Sequence, residues 1–167
     1  VRLADFTRQA VLQFNAAASN LVSAVIDPTA GFAYFGSNTS PGIIAKVRLS
    51  DFTLVGTLTL NPNENNIQCA TIDTAAGFAY FGSNTSPGII VKVRLSDFTR
   101  NAALTLNTGE NNPQAAVIDA ASGFAYFGTS TSPGIVVKVE LAAFTRVGAF
   151  TLNTGENQLF SAVIDST

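Results

Sequence analysis

The chain has 167 residues, of which 47% are hydrophobic and only 12% charged, and its formal net charge is −2. Low charge combined with high apolar content favours a packed protein over a disordered one. Nine basic residues stand against eleven acidic ones, so the basic excess that is typical of nucleic-acid or anionic-membrane binders is missing. No apolar stretch approaches the ~20 residues of a membrane-spanning helix. We therefore predict no nucleic-acid partner and no membrane span.

The chain starts at Val1, contains no Met and has a single cysteine, Cys69. These features predict a mature, excised or partial chain, and such a chain is compatible with the loss of a targeting segment. With only one cysteine there is no internal disulfide, so cysteine usage does not indicate the redox compartment.

One 46-residue unit accounts for the whole sequence. Successive copies occupy residues 1–46, 47–92 and 93–138 without a gap, and a fourth, truncated copy occupies residues 139–167. The second and third copies are identical at 32 of 46 positions. A period of this length predicts a single repeat array.

In residues 67–112, a blade-length stretch that spans the end of the second copy and the start of the third, the apolar segments are short, rich in β-branched and aromatic residues, and separated by Gly, Pro and Asn. That pattern predicts strands and no helix. The predicted strands, in chain order, are Ile67–Ile72, Phe78–Phe81, Ile89–Leu95 and Phe98–Leu106. The first two are joined by a turn at residues 73–77, in which Asp caps its own backbone and Gly takes a positive φ. A polar loop at residues 82–88 follows, and residues 107–112 lead to the next copy.

Four strands in 46 residues are typical of one blade of a β-propeller. Ile89-Ile-Val-Lys-Val and its counterpart from Ile135 are nearly continuous apolar runs, which indicate strands buried on both faces. A blade between two neighbouring blades has this burial. The fold class predicted is thus all-β, with four-stranded antiparallel propeller blades; a β-solenoid is the alternative, although its coils are commonly shorter.

The recurring segments Ala24-Val-Ile-Asp27, Gly31-Phe-Ala-Tyr-Phe-Gly36, Pro41-Gly42 and Lys46-Val47 carry a resemblance to a known family. They resemble the YVTN-type propeller repeats of bacterial surface and secreted proteins. The Gly-His and Trp-Asp pairs of WD repeats are missing, and the chain contains no Trp. The resemblance implies a toroidal scaffold, usually outside the cytoplasm.

The repeat phase predicts an incomplete ring of three full blades with partial blades at both ends. Residues 1–14 correspond to the end of a third strand and a fourth strand, and Leu159–Asp165 to a lone first strand. Neither end has a polar cap, so both expose apolar residues. Two explanations stay open: the chain is an excerpt from a longer repeat protein, or another chain supplies the missing strands.

Catalytic chemistry has little support in the sequence. The chain has no His, which removes the commonest general base and zinc ligand, and one Cys does not make a thiolate metal site. Cys69 replaces Ser23 and Ala115 at equivalent positions and is predicted to be a small buried residue. No phosphate-binding glycine motif is present. We predict no catalytic residue, no metal site, no cofactor and no enzyme activity.

The charged residues recur with the repeat. Two sets of aspartates are predicted to cap backbone amides, with calcium binding as the minor alternative: Asp27, Asp73, Asp119 and Asp165 in the first turn, and Asp5, Asp51 and Asp97 in a later one. The lysines and arginines of the third strand form a second repeating set, consisting of Lys46, Lys92, Lys138, Arg48 and Arg94. We expect these to form an outward, solvated row.

In an up-and-down blade, the loop between strands two and three lies on the same side as the connection to the next blade. Polar residues of both segments are therefore predicted to gather on one rim, as a binding surface for carbohydrate, peptide or another subunit. The candidate residues are Asn38, Thr39, Ser40, Asn84, Thr85, Ser86, Glu64 and Glu110. The segments from Asn38 and Asn84 also match the N-glycosylation pattern, although Pro follows each of them.

The leading functional prediction is a non-enzymatic structural, self-assembling propeller segment of an extracellular or surface protein or filament. Its partners are then copies of itself or further blades of the same protein. The alternative is a propeller that binds carbohydrate or protein through the polar rim.

Overall fold

The computed structural model describes residues 4–8, 10–14 and 19–165. These residues form an all-β structure of three four-stranded sheets, with no helix among them. The first sheet contains β1 (Leu21–Asp27), β2 (Phe32–Ser37), β3 (Ile43–Arg48) and β4 (Thr53–Thr59). The second contains β5 (Ile67–Asp73), β6 (Phe78–Ser83), β7 (Ile89–Arg94) and β8 (Thr99–Thr105). The third contains β9 (Pro113–Asp119), β10 (Phe124–Thr129), β11 (Ile135–Glu140) and β12 (Thr145–Thr151).

Each sheet is a meander in which every strand pairs antiparallel with the next one along the chain. The four strands predicted between residues 67 and 106 match β5 to β8 to within two residues at each end. Short β-branched and aromatic segments suit this arrangement, because the tight turns between them leave no length for a helix.

The three sheets face one another like propeller blades, with their first strands β1, β5 and β9 side by side. In the middle blade the whole run from Ile90 to Val93 is buried, so both faces of β7 are covered. In β11 of the third blade, the run that begins at Ile135 is only partly buried, with Val137 and Val139 covered and Val136 half-buried. The burial of both faces that the apolar runs predicted is therefore confirmed where a blade has two neighbours.

The described residues form an open arc rather than a closed ring. At one end the ring of Phe14 packs against that of Phe35, with centroids 6.2 Å apart. At the other end, residues 159–165 lie against the third blade where a further first strand would lie. They are not assigned as a strand, because the strand that would pair with them is missing from the described residues. Residues 1–3 and 9 of the predicted N-terminal part-blade lie outside the described residues.

The turns confirm the predicted role of the first set of aspartates. Oδ1 of Asp27 accepts a hydrogen bond from the Ala30 amide at 2.9 Å, and Asp73 and Asp119 make equivalent bonds. Gly31 follows with a φ of 77°, which a side chain would disfavour. These carboxylates are therefore engaged in fixing the turn between first and second strands.

The turn between third and fourth strands has an unusual conformation. Its positive φ falls on phenylalanine, with values of 55° at Phe52, 54° at Phe98 and 53° at Phe144. A bulky residue rarely adopts this region, yet it recurs in this turn of every described blade. The side chains of Phe98 and Phe144 reach the preceding blade, as described below.

Cys69 is buried, as predicted, and its thiol donates a 3.5 Å hydrogen bond to the Pro113 carbonyl in the next blade. Ser23 makes the same contact to Ile67 one repeat earlier. Burial raises the pKa of the Cys69 thiol to about 12.

We expect the Cys69 thiol to be inert towards a thiol-specific disulfide reagent at pH 8, because it is both protonated and covered. Full reactivity is expected after unfolding in urea. The measurement is the absorbance of the released thiolate with and without denaturant; rapid reaction of the folded chain would contradict the burial.

Candidate interaction surfaces

One edge of the arc, here called the linker rim, contains the loops between second and third strands together with the linkers between blades. Hydrogen bonds join the two kinds of segment: the Gly42 amide donates to the Glu64 carbonyl at 2.8 Å, and the Asn66 amide to the Thr39 carbonyl at 2.9 Å. Equivalent bonds recur one repeat later, at Gly88 and Asn112. The loops and linkers thus lie on the same side, as the blade topology predicted.

Two of the predicted rim residues stabilise their own loops. Oγ1 of Thr39 lies 2.6 Å from Oγ of Ser37 and donates to the Pro41 carbonyl at 2.8 Å. The Ser37 hydroxyl in turn accepts from the Ile43 amide at 2.8 Å. Thr85 lies in the same kind of loop, 2.7 Å from the Ser83 hydroxyl.

The remaining predicted residues of these loops differ in exposure. Asn38, Ser40 and Ser86 are exposed, whereas Asn84 is half-buried. Oδ1 of Asn38 accepts a 3.0 Å hydrogen bond from Nε2 of Gln68 in the next blade. The exposed side chains give this rim a polar, hydrogen-bonding surface.

Glu64 and Glu110 lie beneath the rim, in the boundaries between blades. Both Glu64 carboxylate oxygens accept from Nε of Arg100 at 2.9 Å, and Oε2 also accepts from the Asn61 amide at 3.0 Å. Glu110 makes the equivalent pair with Arg146. The Glu64 side chain is 5% exposed and that of Arg100 26%. These two Arg–Glu pairs tie the linker before a blade to that blade's fourth strand.

Where the first blade lacks the arginine of this pair, the sequence also lacks the glutamate. Each Arg comes 36 residues after its Glu. In the first blade the position of the Arg is taken by Leu54, and 36 residues before it the sequence has Ala18. Both members of the pair are thus replaced together by apolar residues, which avoids leaving one charge without its partner.

The prediction that the third-strand lysines form an outward, solvated row is wrong for Lys46 and Lys92. They are only 9% and 7% exposed. Nζ of Lys92 lies 4.3 Å from the ring centre of Phe78, 5.4 Å from that of Phe144, and donates to the Leu141 carbonyl at 3.0 Å. Because both faces of the third strand are covered, a lysine in its middle has to lie between blades. Only the terminal Arg48 and Arg94 are exposed, each in an ion pair with an aspartate.

We call each such group a lysine–aromatic cluster. The first consists of Lys46 with Phe32 and Tyr34 of its own blade and Phe98 of the next blade, whose ring centre is 5.7 Å from Nζ. The third blade has Lys138 with Phe124 and Tyr126 alone. Desolvated cation–π contacts contribute about 1–2 kcal/mol, which offsets part of the cost of burying the ammonium. Burial still lowers the pKa of Lys46 and Lys92.

Shallow clefts lie beside these clusters, on the edge of the arc opposite the linker rim. One of about 330 Å³ is bordered by Asp27, Lys46 and Thr74, and one of about 270 Å³ by Asp73, Lys92 and Glu140. The sequence patterns did not reveal them. The sequence feature that could have revealed these clefts is the constant spacing of 19 residues between the turn aspartate and the third-strand lysine in each repeat.

Tyr34 and Tyr80 are fully buried in the same boundaries. Burial, reinforced by the nearby Asp27 for Tyr34 and by Asp73 for Tyr80, raises the pKa of each phenol to about 12.

We expect the chain to lose stability as the pH rises from about 10 to 12. In that window the unfolded chain releases the tyrosine protons while the folded chain retains them, so unfolding becomes more favourable. Urea unfolding at a series of alkaline pH values measures the effect, and Tyr34→Phe is the control with a weaker dependence. The lowered pKa values of Lys46 and Lys92 act in the opposite direction up to about pH 10.5, so the test is the difference between the two chains: an equal pH dependence of the parent and of Tyr34→Phe would contradict the burial.

No group of three or more His, Cys, Asp or Glu side chains suited to a metal occurs among the described residues. Nor do those residues include a helix of the length and apolarity needed to cross a membrane. The carboxylates of Asp27 and Asp73, for which calcium binding was the minor alternative, already accept hydrogen bonds from backbone amides.

The radial sheets, their adjacent first strands and the contacts that repeat at each boundary define an open β-propeller. Two solved propeller structures are similar to it: the WD40 repeats of RRP9 and the structure of U3-55K, each with a TM-score of 0.70 and 9% identity. Each match covers 85% of this chain but only 41% and 42% of the respective structures, so the chain spans less than half of their length. At this identity the similarity shows the fold alone. No protein-family model and no curated protein matches the sequence.

Proposed function

We propose that the chain is a non-enzymatic structural scaffold that acts through protein–protein contacts and assembles from blades of its own kind. The observation that carries this proposal is the repetition, at both blade boundaries, of one Arg–Glu pair and one lysine–aromatic cluster. The glutamate, arginine and lysine side chains at these boundaries thus make contacts that join blades, rather than forming a ligand site. The WD40 repeats of RRP9 share the propeller fold with this chain.

Sedimentation velocity over a range of concentrations, followed by electron microscopy of the native material, tests the proposal. We expect concentration-dependent assembly into curved or ring-shaped particles. A folded chain that stays monomeric at every concentration, with no particles in the micrographs, would refute self-assembly.

We further propose an extracellular or surface location, which the resemblance to YVTN-type repeats supports. In a secreted eukaryotic setting, the exposed Asn38 is then a candidate glycan site, and Asn84 a weaker one because its side chain is half-buried. Mass spectrometry of the native peptides tests this, since complete coverage without a glycan would exclude the modification.

A second candidate function is binding of carbohydrate or protein at the linker rim. The exposed side chains of Asn38, Ser40 and Ser86 favour it, because they present hydrogen-bonding groups along one edge. A glycan array compares the parent chain with Asn38→Ala and Ser40→Ala variants, and equal signals for all three would argue against this surface.

A further inference from the structure

The third blade presents a face that is covered in the other two blades. Ile44 and Ile90 are fully buried, whereas Val136 at the same repeat position is only half-buried. The same contrast holds between Tyr80, which is 1% exposed, and Tyr126. Residues 159–165 cover part of this face and leave a cleft of about 510 Å³ beneath them.

The charged groups on this face are those that join blades elsewhere, but their partners from a following blade are missing from the described residues. Lys138 lies 3.7 Å from the ring centre of Phe124 but has no counterpart of Phe144. Glu156 accepts a hydrogen bond from the Asn153 amide at 2.7 Å, as Glu110 does from Asn107, but has no arginine. Glu110 is 5% exposed, whereas Glu156 is exposed.

The two complete boundaries specify what this face would bind. Phe98 lies 52 residues after Lys46, and Arg100 lies 36 residues after Glu64. Both positions fall in one tripeptide, Phe98-Thr-Arg100, which recurs as Phe144-Thr-Arg146. A single segment at the start of a fourth strand therefore supplies the aromatic ring for the lysine and the guanidinium for the glutamate.

We propose that the open face of the third blade is a docking surface for a further blade of this repeat whose fourth strand begins with Phe-Thr-Arg. Its Phe completes the cluster at Lys138, and its Arg pairs with Glu156. Leu159 already packs against Gly128, as Pro113 packs against Gly82, so the segment that corresponds to the first strand of the docked blade already lies against the third blade. This inference rests on the proposed scaffold function and names the residues that join its units.

The test extends the full chain by one repeat, with a second copy of residues 122–167 placed directly after Thr167. The added copies of Phe144 and Arg146 then stand 52 residues after Lys138 and 36 residues after the original Glu156. In a control extension, the added Phe is replaced by Ser and the added Arg by Leu.

The first measurement is the rate at which Lys138 is acylated by an amine-reactive ester, followed by mass spectrometry with Lys92 as the internal reference. We expect the extension to slow modification of Lys138 about tenfold, the factor that a desolvated cation–π contact supports. The control extension is expected to protect it much less. Equal reactivity of Lys138 in the original and extended chains would overturn the proposal.

The second measurement uses Glu156→Gln, which retains the acceptor for the Asn153 amide but removes the charge. It is expected to leave the melting temperature of the original chain within about 1 °C and to lower that of the extended chain by roughly 5–10 °C. The same small shift in both chains, or an added blade that is digested by protease while residues 19–165 resist, would contradict the proposal.

A different occupant gives a different result. A second copy that docks through its own Phe6-Thr-Arg8 agrees with the proposal, whereas a dimer that Glu156→Lys abolishes but Arg8→Leu leaves intact would show that a different segment occupies the face and would overturn the proposal. Because the extension experiment reports a contact within one chain, its failure leaves the sedimentation test of self-assembly unaffected, and the reverse also holds.

Discussion

Glu64→Ala is expected to lower the free energy of unfolding by about 3 kcal/mol. The Glu64 carboxylate is buried, receives two hydrogen bonds from Nε of Arg100 and caps the Asn61 amide. Its removal leaves a guanidinium that is only 26% exposed without a counter-ion, in an apolar boundary between the first and second blades. Urea unfolding followed by circular dichroism measures the loss.

Two matched variants make this prediction specific. Glu64→Ala combined with Arg100→Leu reproduces the residues that the sequence has at Ala18 and Leu54, and should recover most of the loss, because neither charge is then left alone. Glu156→Ala removes only a backbone cap and should cost about 1 kcal/mol or less. Equal losses for Glu64→Ala and Glu156→Ala would show that the pair with Arg100 contributes nothing.

Gly82→Ala is expected to destabilise the chain by about 1–3 kcal/mol through overpacking. A Cβ atom at this position would lie 2.5 Å from Sγ of Cys69 and 3.2 Å from Cβ of Pro113, the first residue of the next blade's first strand. Because Gly82 lies on the second strand β6, the glycine allows Cys69 of the same blade and the first strand of the next blade to approach that strand closely. The loss is measured as the shift in the urea midpoint.

Gly148→Ala is the matched control, because a Cβ atom there meets nothing within 4 Å and the backbone is not left-handed. It should be neutral or stabilising by up to about 1 kcal/mol, since Ala restricts the unfolded chain. Cys69→Ala in the Gly82→Ala background should recover part of the loss by removing the closest atom. Comparable losses for Gly82→Ala and Gly148→Ala would contradict the close packing of Cys69 and Pro113 against Gly82.

The sequence predicted the architecture well because the repeat carries it. Each turn signal recurs at a fixed spacing, so one assignment, such as Asp73 with Gly77, applies to every blade. The Phe turn was not predicted, because positive φ is expected of Gly, Asn or Asp. Phe98 also contacts Lys46 and Tyr34 in the preceding blade, and these tertiary contacts are not contained in the local pattern.

The wrong prediction for the lysines has a clear physical origin. Burial of both faces of β7 was inferred from its apolar run, and this already requires the central Lys92 to be buried. Charge alone suggested solvent exposure, whereas the aromatic rings of Phe78 and Phe144 make the interior acceptable for the ammonium. The pair of Glu64 with Arg100 was missed for a related reason. Linker residues were assigned to a free surface, although the 36-residue spacing of Glu and Arg was visible in the sequence.

The blades radiate from an axis, with their first strands close together and their fourth strands apart. Pulsed electron–electron double resonance, which measures distances between pairs of spin labels, tests this arrangement directly in a Cys69→Ser background. One set of labels replaces the equivalent first-strand residues Val22, Gln68 and Gln114, and the other replaces Thr57, Ala103 and Ala149 in the fourth strands. For radiating blades, labels in neighbouring fourth strands are expected to be farther apart than labels in neighbouring first strands. Equal spacing in both sets, as in a linear stack of sheets, would contradict it.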